Sequence, residues 1–253
     1  MTNPTTRSLD TVAHKLSGID WHDIDQVENH AAQFFDDLAA EPDLVRNRLD
    51  ELPDRPELWN LCEHYDILDK IVLHDNPDTG VRVRLHIFLP GYFDRPHNHR
   101  WSYASRILRG HYRHYLFGNT DIDEHIDPAK LPVLQARTEP VGATYALHHS
   151  MVHAVVAEPH TVSLVVRGPA LKDRFLVSDR KTGEVWWQYG AAREASEDAL
   201  RKRMTREQLA EVIQASGNGS CSERPRTDPS QQRSSTAVRL GIGARLHVLK
   251  LRF

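Results

Sequence analysis

Residues 91–110 read GYFDRPHNHRWSYASRILRG. This stretch sets His97 and His99 one residue apart after a Gly- and Pro-bearing approach, then runs through an alternating segment to a second glycine, Gly110. In extended backbone, residues i and i+2 point to the same side, so both imidazoles aim at one point. A shared metal ion is the leading expectation for that point. The alternative is a polar rim whose rings are satisfied by hydrogen bonds.

Outward from this stretch the period is two. The run VRVRLHIFL at 81–89 alternates Val81, Val83, Leu85, Ile87 and Leu89 against Arg82, Arg84, His86 and Phe88, after an NPDTG turn. Eight further runs read as strands: SYASRILR, HYRHYLFG, PVLQAR, TYALHH, HAVVAE, TVSLVVRG, DRFLVS and EVWWQYG. Short strands punctuated by Gly, Pro and Asp, with no helical pattern between them, predict an antiparallel sandwich or barrel, a mainly β fold.

Helices flank it. DQVENHAAQFFDDLAAEP, from Asp25, sets an Asp-x-x-Glu capping signal before a stripe of Val27, Ala31, Phe34, Phe35 and Leu38. Pro42 and Pro56 suit the first turns of two short helices, the second carrying Leu58, Trp59 and Cys62. The apolar faces of this preface are expected to pack on the sheet. Past Gly190 the helical period returns, with Ser196 and Thr205 as caps and Thr205-x-x-Gln208 as a capping box before Leu209, Val212 and Ile213. The chain divides into a flexible N-terminus (1–21), a helical preface (22–66), a β-barrel (67–190), C-terminal helices (191–216) and a disordered basic tail (217–253) rich in Ser, Gln, Arg and Pro.

Composition bounds the function. The 253 residues are 40% hydrophobic and 26% charged, enough for a sizeable core. No long apolar run and no apolar leader is visible, so no membrane partner is expected and the cytoplasm is the default location. Two cysteines, Cys62 among apolar neighbours and Cys221 in the tail, make no disulfide framework. The net charge of −3 hides a basic tail on a more acidic body, which gives no reason to expect nucleic acid. Ten of the 16 histidines fall within residues 86–160. Among them, His86, His111 and His114 alternate within strands and read as supporting or surface residues rather than ligands.

Gly91, His97, His99 and Gly110 fit the first cupin motif, and GATYALHHSMVH, from Gly142, places His153 at the spacing of the second motif's histidine. Over roughly residues 70–190 the chain therefore resembles the cupin superfamily. The resemblance implies a double-stranded β-helix (jelly roll) with a metal held by His97, His99 and His153. Tyr103 stands where the first motif has Glu, and His148 and Ser150 replace Pro and Gly of the second, so His148 or His149 competes for the third ligand position.

A second resemblance follows His153. EPHTVSLVVRGPALKDRFLVSDRKTGEV is similar to the corresponding stretch of cysteine dioxygenase and related thiol dioxygenases, through Glu158, Pro159, Val162, Ser163, Leu164, Pro169, Asp179, Thr182 and Gly183. That family's Ser-His-Tyr relay keeps Ser163 here but meets Val165 and Arg167, which counts against cysteine itself as substrate. The family's carboxylate-binding arginine implies a role for Lys70, Arg82 or Arg84.

Three neutral imidazoles suit Fe(II), with Zn, Ni or Mn as alternatives, and leave the ion's full positive charge to attract a small anionic chelating substrate. With Fe(II), O2 is the co-substrate; without a carboxylate ligand, a 2-oxoglutarate enzyme is disfavoured. Arg167 is expected either to clamp a substrate carboxylate or to pair at the surface with Asp173 or Glu158. Tyr103 is either a hydrogen-bond donor to bound oxygen or an aromatic core residue, and Trp101 and Tyr145 either wall the pocket or pack in the core. The expected function is a three-histidine Fe(II) dioxygenase acting on a small thiol or related anion. A non-oxidative isomerase or lyase and a ligand-binding module stand behind it.

Overall fold

The computed structural model describes residues 7–119, 122–190, 193–194 and 196–217. The basic tail past residue 217 and the first six residues lie outside them, so the expectation of disorder there concerns residues not described.

The expectation of a flexible N-terminus over residues 1–21 meets, within its described part, a helical segment over residues 9–16. Leu9–Ala13 forms α1, capped by the Ser8 side chain, and continues into a 3-10 turn over His14–Leu16. Leu9, Val12 and Leu16 are buried, which is what fixes so short a helix. Helix α2 spans Ile24–Ala40 and buries the predicted stripe. Its cap is Asp23, two residues before the expected Asp25, because the Asp23 carboxylate accepts from the Asp25 and Gln26 amides at 3.1 and 3.2 Å. Helices α3 (Asp43–Glu51) and α4 (Pro56–Trp59) begin at the two prolines.

The strands are β1 (Glu63–Tyr65), β2 (Leu68–Asp75), β3 (Arg82–Phe88), β4 (Tyr103–Arg109), β5 (Tyr112–Asn119), β6 (Gln135–Glu139), β7 (Thr144–Leu147), β8 (Met151–Ala157), β9 (Val162–Arg167), β10 (Arg174–Ser178) and β11 (Val185–Tyr189). The β structure thus begins at Glu63, inside the stretch read as helical preface. Helices α5 (Ser196–Lys202) and α6 (Arg206–Gly217) follow, the latter opened by the predicted box: Gln208 N–H donates to Thr205 Oγ1 at 3.2 Å and Thr205 N–H to Gln208 Oε1 at 2.8 Å.

The larger sheet runs β1-β2-β3-β9-β4-β7 and the smaller β6-β5-β8, with β10 and β11 paired as a hairpin. Residues 93–99 extend the smaller sheet beyond β8 through bridges from Phe93 to Val156 and from His97 to His153. Between β3 and β9 the chain crosses repeatedly from one sheet to the other, and every sheet neighbour pairs antiparallel. This is a double-stranded β-helix, or jelly roll, with a helical layer outside its larger sheet. Gly110 makes one of the sharp returns, at φ +71°, where a Cβ would lie 2.5 Å from the Thr161 hydroxyl oxygen.

Two cores result. Val83, Leu85 and Ile87 of β3 pack outward beneath α2, α1 and α6, together with Phe34, Phe35, Leu38, Leu164, Val166 and Leu209. The opposite face of the same sheet lines the barrel, where Phe88, Tyr103, Ile107 and Val165 meet Tyr112, Tyr145 and Val155. The polar members of the β3 alternation, Arg84 and His86, therefore share the face of Phe88 and point into the barrel. Cys62 sits in the helical-side core, where burial pushes its thiol up to about 11.

Candidate metal centre

The bridge between residues 93–99 and β8 builds the site. His97 N–H donates to His153 O and His153 N–H to His97 O, both at 2.9 Å, so these two residues stand directly opposite with side chains on one face. His99, two residues on, joins them: the His97 ring lies 4.6 Å from both His99 and His153, and the latter two are 4.9 Å apart. One ligand-capable nitrogen from each falls within 4.8 Å of the others. The three residues derived from the two motifs are thus brought together.

The surrounding chain fixes which nitrogen His97 and His153 offer. His97 Nδ1 lies 2.8 Å from the Arg95 carbonyl, which only accepts, so Nδ1 carries the proton and Nε2 the lone pair. His153 is set by a longer relay. The Glu139 carboxylate accepts from His114 Nδ1 at 3.1 Å, which leaves His114 Nε2 to accept from His153 Nδ1 at 3.0 Å. His153 Nε2 then presents a lone pair 2.7 Å from His99 Nε2, which donates to it in the tautomer with its proton there. Burial, reinforced by the neighbouring His97, holds both His99 and His153 well below the usual imidazole range, so neither carries an extra proton at neutral pH. Convergent imidazoles with carboxylates behind two of them, Glu139 through His114 for His153 and Asp94 at 3.4 Å from His97 Nδ1, are a donor set that a divalent transition metal takes. The residues fit such an ion.

Aromatic groups wall the centre. Trp101 stacks on His99 at 4.7 Å and 26°, and Phe175 lies 6.4 Å from the same ring. Tyr103 replaces the motif's Glu, with its hydroxyl 3.4 Å from His153 Nε2. Burial first, then the neighbouring Tyr145, pushes that phenol well above its ordinary value, so Tyr103 is a donor at neutral pH. Tyr145 in turn is hydrogen-bonded to Tyr112, giving three phenols in a row inside the barrel.

The other predicted residues separate. His148 and His149 do not enter the triad; they lie in the β7–β8 turn, grouped with His22. Ser163 is buried on the barrel face of β9, paired with His86 and Ile107. It lies four residues before Arg167, whose register partner is Tyr103, or about 13 Å down the strand. Arg167 donates from Nη1 to the Gly80 and Gly168 carbonyls at 3.0 and 2.8 Å, rather than pairing with either expected acid. Asp173 instead pairs with Arg193, and Glu158 with His111.

Of the three cations before the metal loop, Arg82 is tied to Asp75 at 2.6 Å and Lys70 to Glu63 at 3.2 Å. Arg84 is 7% exposed, lies 5.3 Å over the Trp101 ring, and has no carboxylate within ion-pair distance among the described residues. Its Nε has no partner, and burial pushes the guanidinium down to about 10. The sequence named Arg84 only as one of three alternatives, and it carried no sign of the Glu139 to His114 support. His114 shares a face with Tyr112 by simple alternation, but its partners come from β6 and β8.

No protein-family model and no curated protein matches the chain. Solved structures do show local likeness. KdgF from Halomonas sp. is 17% identical, with 42% of this chain and 82% of that one covered at a TM-score of 0.33. An RmlC-like cupin from Shewanella frigidimarina is 17% identical, with 44% and 86% covered at 0.34. L-ribose isomerase from Cellulomonas parahominis is 12% identical, with 43% and 63% covered at 0.35. The strand order, not these scores, fixes the architecture.

Proposed function

We propose that the protein is a mononuclear three-histidine cupin dioxygenase, holding Fe(II) on His97, His99 and His153 and oxidising a small anionic chelating substrate, a thiol carboxylate foremost. The observation that carries this reading is the convergence of three imidazoles with no carboxylate in the group, two of them with a fixed tautomer. Fe(II), when bound, supplies an acidic position for the substrate donor and a route for substrate electrons to O2. Arg84 anchors the substrate carboxylate, because its buried guanidinium makes no ion pair among the described residues and leaves Nε unpartnered, so that a charge-assisted pair with a ligand is open to it. Tyr103 donates a hydrogen bond to oxygen arriving beside His153. Trp101 and Phe175 keep bulk water from the triad. Because the sulfur's own electrons reduce both oxygen atoms, no 2-oxoglutarate is required.

A second reading is metal-assisted proton transfer with Zn, Ni or Mn, as in an isomerase or lyase. It is favoured by the row of buried phenols behind Tyr103, which offers a proton path away from the centre. The experiment that separates them is oxygen uptake by iron-loaded protein over a panel of small thiols with and without a carboxylate, repeated anaerobically. The dioxygenase consumes O2 without 2-oxoglutarate, and anaerobic turnover would sink it in favour of the second reading. Arg84→Met is expected to raise KM for carboxylate-bearing substrates about ten- to a hundredfold, the value of a charge-assisted contact, and to spare substrates lacking the group. Equal effects on both classes would remove the anchor role.

A further inference from the structure

A second group of histidines lies outside the barrel triad. His22, in the loop before α2, meets His148 and His149, in the turn between β7 and β8, and one ligand-capable nitrogen from each falls within 4.8 Å of the others. We propose that His22, His148 and His149 form a second metal site, distinct from the triad, that takes a divalent ion of the zinc, cobalt or nickel type through nitrogen donors and fastens the helical preface to the barrel.

Several independent observations bear on it. His148 and His149 are adjacent in sequence yet their rings lie 4.0 Å apart on one side of the turn, and His22 approaches His149 edge-on at 5.7 Å. His149 Nδ1 is buried with no hydrogen-bond partner among the described residues, although buried polar atoms are nearly always satisfied. An ion would satisfy it. The Ser150 N–H donates to His148 Nδ1 at 3.3 Å and the Ser150 hydroxyl lies 2.7 Å from the same atom, which fixes the pose of the ring; ligation through Nε2 reverses that tautomer, and Nδ1 then donates to the hydroxyl.

The donor set suits a borderline-soft ion. Tetrahedral coordination at about 2.0–2.1 Å per bond places neighbouring nitrogens roughly 3.4 Å apart, so a group already within 4.8 Å closes by side-chain movement, for which the exposed His22 ring has room. All three side chains offer imidazole nitrogens, with no carboxylate in the group. Lys172 donates to the His149 carbonyl at 3.2 Å, and its positive charge beside the site favours hydroxide or another anion as the remaining ligand.

The position gives the site a mechanical meaning. His22 is held in its loop by its own N–H, which donates to Asp20 Oδ1 at 2.9 Å. The His149 carbonyl accepts from His99 N–H at 3.2 Å. An ion on the second group therefore ties the preface to the same turn that braces a member of the first.

The test is Zn2+ stoichiometry by dialysis and elemental analysis on the full chain, with Co2+ absorption reporting coordination and far-UV circular dichroism reporting the fold. Wild type is expected to hold one equivalent more than His22→Ala and one more than His148→Ala. The double variant His97→Ala/His99→Ala is expected to keep an equivalent that disappears when His22→Ala is added. Folded His22→Ala and His148→Ala proteins that bind as much Zn2+ as wild type would overturn the second site. Loss of all metal in the His97→Ala/His99→Ala protein would overturn it too and leave the proposed oxygenase standing. Metal kept by that double variant but absent from His22→Ala would instead remove the barrel centre and uphold the second site.

Discussion

At the scale of residues, the three ligand candidates are held unequally. His97 is oriented by a backbone carbonyl, which no side-chain substitution removes, whereas His153 depends on His114 and, through it, on Glu139. Glu139 also accepts from Arg137 and is held below the ordinary carboxylate range, against the effect of burial, by its hydrogen bond from His114 and by Arg137. Glu139→Ala leaves His114 free to reverse its tautomer, so that His153 Nδ1 no longer has a fixed acceptor. Metal affinity is expected to fall about 10–100-fold, the usual cost of losing an outer support, with little change in secondary structure. Competition against a chelator of known affinity checks it, and an unchanged affinity would show that the relay does not orient His153. The same scale separates two arginines of the barrel face: half-buried Arg167 donates to backbone carbonyls, while buried Arg84 lies over Trp101 and leaves its Nε without a partner.

At the scale of elements, Asp10 of α1 is the joint between the first helix and the rest. Its carboxylate takes Arg48 of α3 at 2.6 Å and His74 of β2 at 2.6 Å, while Arg48 also donates to the Leu73 carbonyl. Partial burial alone would raise the Asp10 pKa, but hydrogen bonds from His74 and Arg48 and the charge of Arg48 hold it far below the usual range. A depressed folded-state pKa contributes stability above the unfolded value of about 4 and loses it as pH falls toward the folded value. Wild type is therefore expected to exceed Asp10→Asn in stability at neutral pH, with the gap closing from about pH 4 downward. Urea unfolding across that range measures it, and a gap independent of pH would mean that the carboxylate charge is not what binds α1.

At the scale of the whole molecule, the decisive feature is a sheet with two buried faces. The helical layer covers Val83, Leu85 and Ile87, which frees the other face of β3 to bring Arg84 and His86 into the barrel. Trp21 closes this layer where β9 ends, and a Cβ on Gly168 would lie 2.1 Å from its ring. Gly168→Ala must displace a buried indole, and overpacking of this kind costs about 1–3 kcal/mol. A lower thermal midpoint with metal stoichiometry at the barrel triad unchanged is the expected result. An unchanged midpoint would show that Trp21 relaxes freely and that the preface is loosely seated at that corner. Among the described residues no helix is long and apolar enough to cross a membrane.

What the sequence determined by itself is what depends on neighbours along the chain. The two-residue period marked the strands, the stripe from Val27 to Leu38 marked α2, and the spacing around Gly91, His97, His99 and Gly110 marked the histidine pair, because each is a local relation among adjacent dihedrals. Even the errors were local: Asp23 and Asp25 carry the same capping chemistry two residues apart, and only the observed hydrogen bonds choose between them. Tertiary structure decided the rest. Which face of β3 is interior depends on the helices laid over the other, and a period of two is blind to that choice. The support of His153 joins residues from β5, β6 and β8; the isolation of Arg84 is a statement about every acid that does not reach it; and His22 meets His148 only across the whole preface. Such contacts are set by packing between distant segments, whose pairing no short-range pattern encodes.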